Sequence, residues 1–127
     1  MILPCLVIAP TAAMGRGVYT TAFIAAGTVV EHSPVIVLPA GDRSYLDQTV
    51  LHDYIFEWGY DRAECCMALG YIPLYNHSYL SNCEYEMDFE ASMMKITAMR
   101  AINAGEELFI NYNGDWNDET PLWFDAR

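Results

Sequence analysis

The sequence is short of basic residues. Six Lys and Arg stand against 17 Asp and Glu in 127 residues, a formal net charge of −11. Tracking a phosphate backbone needs clustered cationic side chains, so this balance argues against direct DNA or RNA binding. Long hydrophobic runs are missing too: no stretch approaches the roughly 18 consecutive apolar residues of a membrane span. Residues 1–10 are apolar but lack a basic lead-in and a clear cleavage site, and read as a first strand rather than a secretory signal. The four cysteines, Cys5, Cys65, Cys66 and Cys83, form no C-x-x-C pair. They read as free thiols in a reducing compartment, with no structural metal expected. There is no internal repeat, low-complexity stretch or linker. Neither a phosphate-binding P-loop nor the longer dinucleotide fingerprint occurs, and no Ser/His/Asp arrangement supports acyl transfer.

What is present describes one globular domain over residues 1–127. The chain is 54% hydrophobic and 18% charged. A domain of this size buries roughly two-thirds of the surface its unfolded chain exposes. Its acidic surface either favours Lys- and Arg-rich partners, with faster association at low salt, or simply keeps the chain soluble.

The patterning is that of short strands. Residues 18–23 and 28–38 are rich in β-branched and aromatic side chains and are split by the turn Ala26-Gly27. Pro34 inside the second run predicts an edge position or a break. Ala40-Gly41-Asp42 and Trp58-Gly59-Tyr60-Asp61 are turn chemistry. Between them residues 44–58 are ambiguous: the first half suits a short helix, while Tyr54-Ile55-Phe56 suits a buried strand. Residues 64–69 read as a short helix ended by Gly70. In residues 84–90 the acids Glu84, Glu86, Asp88 and Glu90 alternate with Tyr85, Met87 and Phe89, which predicts a half-buried strand with one acidic face. That face is either solvated or a cradle for a basic peptide. Strands over residues 93–99 and 107–112, joined through Asn103-Ala104-Gly105, complete a mainly β domain.

Three separated segments carry chemical possibilities. In Gly15-Arg16-Gly17-Val18-Tyr19 the glycines let backbone approach a ligand closely, or simply make a turn. In Asn76-His77-Ser78-Tyr79-Leu80-Ser81-Asn82-Cys83 adjacent Asn and His offer donors and acceptors beside apolar neighbours. Seen alone, His77 is more often a hydrogen-bonded structural histidine than a catalytic one. Gly105-Glu106-Glu107-Leu108-Phe109-Ile110-Asn111-Tyr112 is a turn entering a strand that ends in tyrosine.

In this order and spacing, Gly-x-Gly, Asn-His-Ser-x-x-x-Asn and Gly-Glu-Glu-Leu-x-x-x-Tyr resemble the signatures of SET-domain protein lysine methyltransferases. The resemblance spans roughly residues 6–115, leaving an aromatic tail over residues 116–127. Met67-Ala68-Leu69-Gly70 looks like the minimal stand-alone SET proteins of large DNA viruses and bacteria. The resemblance implies a β-clip fold: several small curved sheets, short helices, and a C-terminal pseudoknot where the Asn-His segment and the final strand thread together. It implies S-adenosylmethionine as methyl donor, held by Gly15, Arg16, Gly17, Asn76 and His77. Tyr112 matches the catalytic tyrosine. Tyr54 is the candidate second channel tyrosine, or else a plain core aromatic.

Ile110 stands in the implied substrate channel, where many members carry a Phe or Tyr that limits how many methyl groups are added. Ser81 stands where the family usually has proline. The zinc segments that flank many SET domains have no counterpart here. Trp116 is therefore assigned to the channel, with Trp123 and Phe124 folding back beside it to close it, or else these aromatics form a dimer contact. The minimal viral relatives pair, so a homodimer is expected. The implied substrate is a lysine of a basic, histone-like protein. The alternative is a catalytically inactive SET module that binds a basic peptide or partner. The implied setting is intracellular, cytoplasmic in a bacterium and nuclear or chromatin-associated in a eukaryote or virus.

Overall fold

A computed structural model describes residues 1–112; the expectations for Trp116, Trp123 and Phe124 lie outside the described residues. The strands are β1 (Leu6–Pro10), β2 (Arg16–Thr20), β3 (Val29–Leu38), β4 (Phe56–Trp58) and β5 (Glu64–Ala68). After them come β6 (Asn76–His77), β7 (Cys83–Asp88), β8 (Met93–Ala98) and β9 (Glu107–Ile110). Among the described residues, helix is confined to one short α-helix, Arg43–Leu46, and the 3-10 turns Ala40–Asp42, Val50–Asp53 and Ile72–Leu74. The domain is mainly β, with two small sheets and few short helices.

The first sheet has the order β1-β2-β9-β6 and the second β4-β5-β3-β8-β7. Neighbours are antiparallel except β6 and β9, which run parallel with Asn76 opposite Phe109 and His77 opposite Ile110. Parallel neighbours cannot be joined by a hairpin. The β7–β8 hairpin and its flanking turns supply the crossover, and the pairing brings the Asn-His segment against the last described strand.

Pro34 does not mark an edge strand. β3 lies between β5 and β8, but its pairing is handed over at the proline. Residues Val29 to Pro34 face β8, with a bulge between Val29 and Glu31, and Val35 to Leu38 face β5. A missing N–H is harmless at the point where one partner ends and the next begins. The helix expected over residues 64–69 is also corrected: β5 is a strand, paired on one side with β3 and on the other with β4. Glu, Met, Ala and Leu favour helix only weakly. Two flanking strands and the burial of Cys65, Cys66 and Ala68 outweigh that preference. Gly70 does terminate the element, with φ of +66°.

β7 keeps the predicted alternation but ends at Asp88, so Phe89 and Glu90 lie in the turn that follows rather than in the strand. Glu86 and Asp88 are exposed, while Tyr85 and Met87 pack against the core. Val18, Val30, Ile72, Tyr75, Met94, Ile96, Ile102, Leu108 and Ile110 are fully buried and join the two sheets. Each such aliphatic side chain contributes about 1.5–3 kcal/mol on burial, and the shared core fixes β2, β6 and β9 relative to one another. All four cysteines are free, three of them buried.

Candidate active site

Three segments distant in sequence converge on the β2-β9-β6 face. The turn before β2 needs Gly15 for its φ of +72°. Thr11 accepts the Met14 N–H on its hydroxyl and donates N–H to the Gly15 carbonyl at 2.6 Å, closing that turn. Gly17 is required for a different reason. A Cβ there would run into the Glu107 carboxylate and lie 2.9 Å from Asn76 Nδ2. Backbone at Gly17 is thus packed directly against two polar side chains, as close approach without a side chain allows.

Asn76 donates through Nδ2 to the Arg16 carbonyl at 3.1 Å and to Glu107 Oε2 at 2.8 Å. Two oxygen acceptors on one atom fix the amide orientation, and leave Oδ1 as an acceptor with no partner among the described residues. One residue on, His77 is buried. Its Nδ1 accepts the Tyr112 N–H at 3.0 Å. That bond puts the ring proton on Nε2, which is buried and has no partner among the described residues. Burial holds the His77 pKa below its ordinary value, so the neutral tautomer is the working form. A buried N–H without an acceptor costs about 1–3 kcal/mol. Asn76 and His77 are consecutive on β6, so their side chains leave opposite faces of the strand: Asn76 toward Arg16 and Glu107, His77 toward Tyr79 and Tyr112.

Tyr112 follows β9 and is held at four points. Its hydroxyl donates to the Tyr75 carbonyl at 2.6 Å, its carbonyl accepts the Tyr85 hydroxyl at 3.2 Å, and its N–H is on His77. Its ring meets Phe56 edge-on at 6.2 Å, and Phe56 in turn packs on Tyr85 at 5.4 Å. The result is an aromatic wall ending in two adjacent oxygens. Asn82, fully buried, locks β9 in place by accepting the Phe109 N–H at 2.8 Å and donating to the Glu107 carbonyl at 2.9 Å.

A SET-domain profile matches residues 15–113. The chain belongs to the SET-domain family. A histone-lysine N-methyltransferase of Schizosaccharomyces pombe, specific for H3 lysine-37, is 31% identical over 112 residues, 87% of this chain and 71% of that protein. Family and relative together support lysine methyltransferase activity. The fold is shared with a Plasmodium falciparum protein assigned as a histone methyltransferase, with a TM-score of 0.63 at 23% identity over 87% of this chain and 99% of that one. It is also shared with a chain of ctPRC2 solved in complex with two H3 forms, with a TM-score of 0.71 at 21% identity over 84% of this chain and 14% of that one.

Within this SET domain, Gly15, Arg16, Gly17, Asn76 and His77 lie together, with Arg16 contributing its carbonyl and exposing its side chain. Tyr112 adjoins them through His77. Ile110 is fully buried in the core between them. Tyr54 is half-buried after the Val50–Asp53 turn, and the rings of Phe56 and His77 lie against Tyr112. Trp116 lies outside the described residues. Sequence reasoning placed Phe56 and Tyr85 in strands but assigned no part in the site to Phe56, Tyr75, Tyr85, Asn82 or Glu107. The last two carried a signal, since both stand inside the matching motifs; the aromatics carried only a signal for burial.

Proposed function

We propose that this SET domain transfers a methyl group from S-adenosylmethionine to a lysine side chain of a basic, histone-like protein. The observation that carries this reading is the corner where the Tyr112 hydroxyl donates to the Tyr75 carbonyl, beside His77 and under the Phe56–Tyr85 wall. When bound, S-adenosylmethionine would supply a methyl group activated on a sulfonium, whose carbon forms a bond to nitrogen as its bond to sulfur breaks. The residues that would hold it are Gly15, Arg16 and Gly17 through backbone, Asn76 through Oδ1, and His77 next to it on β6.

The rest of the chemistry falls to groups of the chain. Attack by an amine requires the lysine to lose its proton first, and a water-poor aromatic wall lowers its pKa by desolvating the charged form. Phe56, Tyr85 and Tyr112 provide that wall. The Tyr112 proton is engaged by the Tyr75 carbonyl, so the lone pairs of both oxygens can face a carbon carrying partial positive charge. Fixed oxygens stabilise such charge without reorganising, and in-line displacement depends above all on alignment. The net charge of −11 favours encounter with a Lys-rich partner. Free thiols suit a reducing, intracellular setting. The same reading expects a homodimer, which sedimentation equilibrium reports directly.

The test is calorimetric titration with S-adenosylmethionine, followed by incubation with a histone mixture and mass analysis. Saturable binding and gain of methyl mass on lysine support the proposal. Absence of binding sinks it, and binding without any lysine methylation would instead favour a peptide-binding module.

A further inference from the structure

One fully buried ionisable group takes no part in the chemistry above. Glu31, on β3, is 0% exposed. Its carboxylate accepts three neutral donors: the Ser33 hydroxyl and the Tyr71 N–H, both at 2.8 Å on Oε2, and the Tyr75 hydroxyl at 3.0 Å on Oε1. Burial holds its pKa above the ordinary carboxylate value, and the Ser33, Tyr71 and Tyr75 donors together with the Met1 ammonium offset only part of that rise. The chain also keeps Gly70 clear for it. A Cβ at Gly70 would collide with the Glu31 carboxylate and come within 2.6 Å of Ser33 Oγ. Removing a carboxylate from water costs several kcal/mol even when hydrogen-bonded, and an apolar cluster of equal volume fills a core at least as well. Core packing alone therefore does not account for this cage.

What the cage grips is specific. Tyr71 and Tyr75 bracket the 3-10 turn Ile72–Leu74, and one carboxylate ties both ends of it. The turn leads directly into Asn76 and His77. The Tyr75 carbonyl is the acceptor for the Tyr112 hydroxyl at 2.6 Å. We propose that Glu31 is a positioning residue for methyl transfer: by holding the Tyr75 hydroxyl it fixes the Tyr75 carbonyl, and with it the orientation of the Tyr112 hydroxyl. This rests on the methyltransferase reading for its catalytic consequence, although the mechanical coupling exists without turnover. The linkage runs through one side-chain bond, the frame of a single residue and one further bond. Small errors in such alignment are costly to rate, whereas S-adenosylmethionine binding, assigned to Gly15–Gly17, Asn76 and His77, has no direct contact with Glu31.

Tyr75→Phe removes the gripped hydroxyl and keeps the ring and the carbonyl; Glu31→Gln keeps volume and part of the bonding. Both are compared with wild type for S-adenosylmethionine affinity, for kcat and KM on a histone mixture, and for the Tyr112 ring-carbon Cζ NMR resonance, assigned with Tyr112→Phe. The expected result for Tyr75→Phe is a kcat lower by about tenfold, with KM and cofactor affinity within about threefold and a displaced Tyr112 resonance. Glu31→Gln is expected to lose less, because its amide oxygen can still accept from Tyr71 and Ser33 while its NH2 donates to the Tyr75 hydroxyl oxygen. If Tyr75→Phe does not fold, Glu31→Gln carries the test through the same measurements. Wild-type kcat with an unmoved Tyr112 resonance overturns the proposal. Failure of wild type to bind S-adenosylmethionine sinks the methyltransferase reading instead, and the resonance still reports whether Glu31 sets Tyr112.

Discussion

Gly15 and Gly17 look alike in sequence, yet substituting each by alanine has opposite consequences. At Gly17 the new methyl group collides with the Glu107 carboxylate and crowds Asn76 Nδ2 at 2.9 Å. Backbone is not strained there, because Gly17 needs no positive φ. Glu107 must swing away, and Asn76 loses its 2.8 Å bond to Oε2. A hydrogen bond to a charged group contributes about 1.5–3 kcal/mol. If restoring the Asn76 orientation falls on the bound state, about 2 kcal/mol corresponds to roughly 30-fold in Kd for S-adenosylmethionine. At Gly15 the added methyl group meets nothing within 4 Å, but φ is +72°. The cost there is conformational, about 1–2 kcal/mol of folding stability, with affinity expected to change by less than about threefold. Calorimetric titration and denaturant melts on the two variants separate these effects. Wild-type affinity in Gly17→Ala would refute the idea that the Glu107–Asn76 pair orders the cofactor cleft.

Three other outcomes follow from the same geometry. Asn82→Ala leaves the Phe109 N–H and the Glu107 carbonyl unpaired in β9, and should cost about 2–5 kcal/mol in urea unfolding; a loss under 1 kcal/mol would mean that Asn82 does not hold the strand. Burial holds His77 below the ordinary imidazole pKa of 6.5, so below that pH the unfolded chain binds its proton before the folded one does. Stability should be fully present above pH 6.5 and fall as pH drops toward the lower folded value, and His77→Phe should flatten this limb; an unchanged limb would contradict the assignment. Burial pushes the Cys66 and Cys83 thiols up to about 12, and Cys65 is raised and buried as well. In the native protein a thiol reagent should therefore modify half-buried Cys5 first, with the others reacting only on unfolding.

The sequence revealed strands where alternation is regular, as in β7, because exposed acids and inward aromatics follow the two-residue period of the backbone. It misled at residues 64–69, whose side chains tolerate a helix and become a strand only through β3 and β4 on either side. Pro34 was ambiguous because handing a strand from one partner to another leaves no local mark. The motif glycines, Asn76, His77 and Tyr112 were legible as an ordered set. Glu31 was not, since a glutamate between Val30 and His32 reads as a surface residue until partners 40 and 44 positions away surround it. Phe56 and Tyr54 share a segment, and it is the pairing of β4 with β5 that places Phe56 where its ring meets Tyr112.

The most direct test of the account is methyl transfer to a histone mixture by Tyr112→Phe and wild type at saturating S-adenosylmethionine, with cofactor affinity measured on both. Removal of a hydroxyl that acts only at the reacting centre should lower kcat by about 10²-fold or more and leave cofactor Kd within about twofold. Equal rates in the two proteins would show that the Tyr112–Tyr75 corner is not where the reaction occurs.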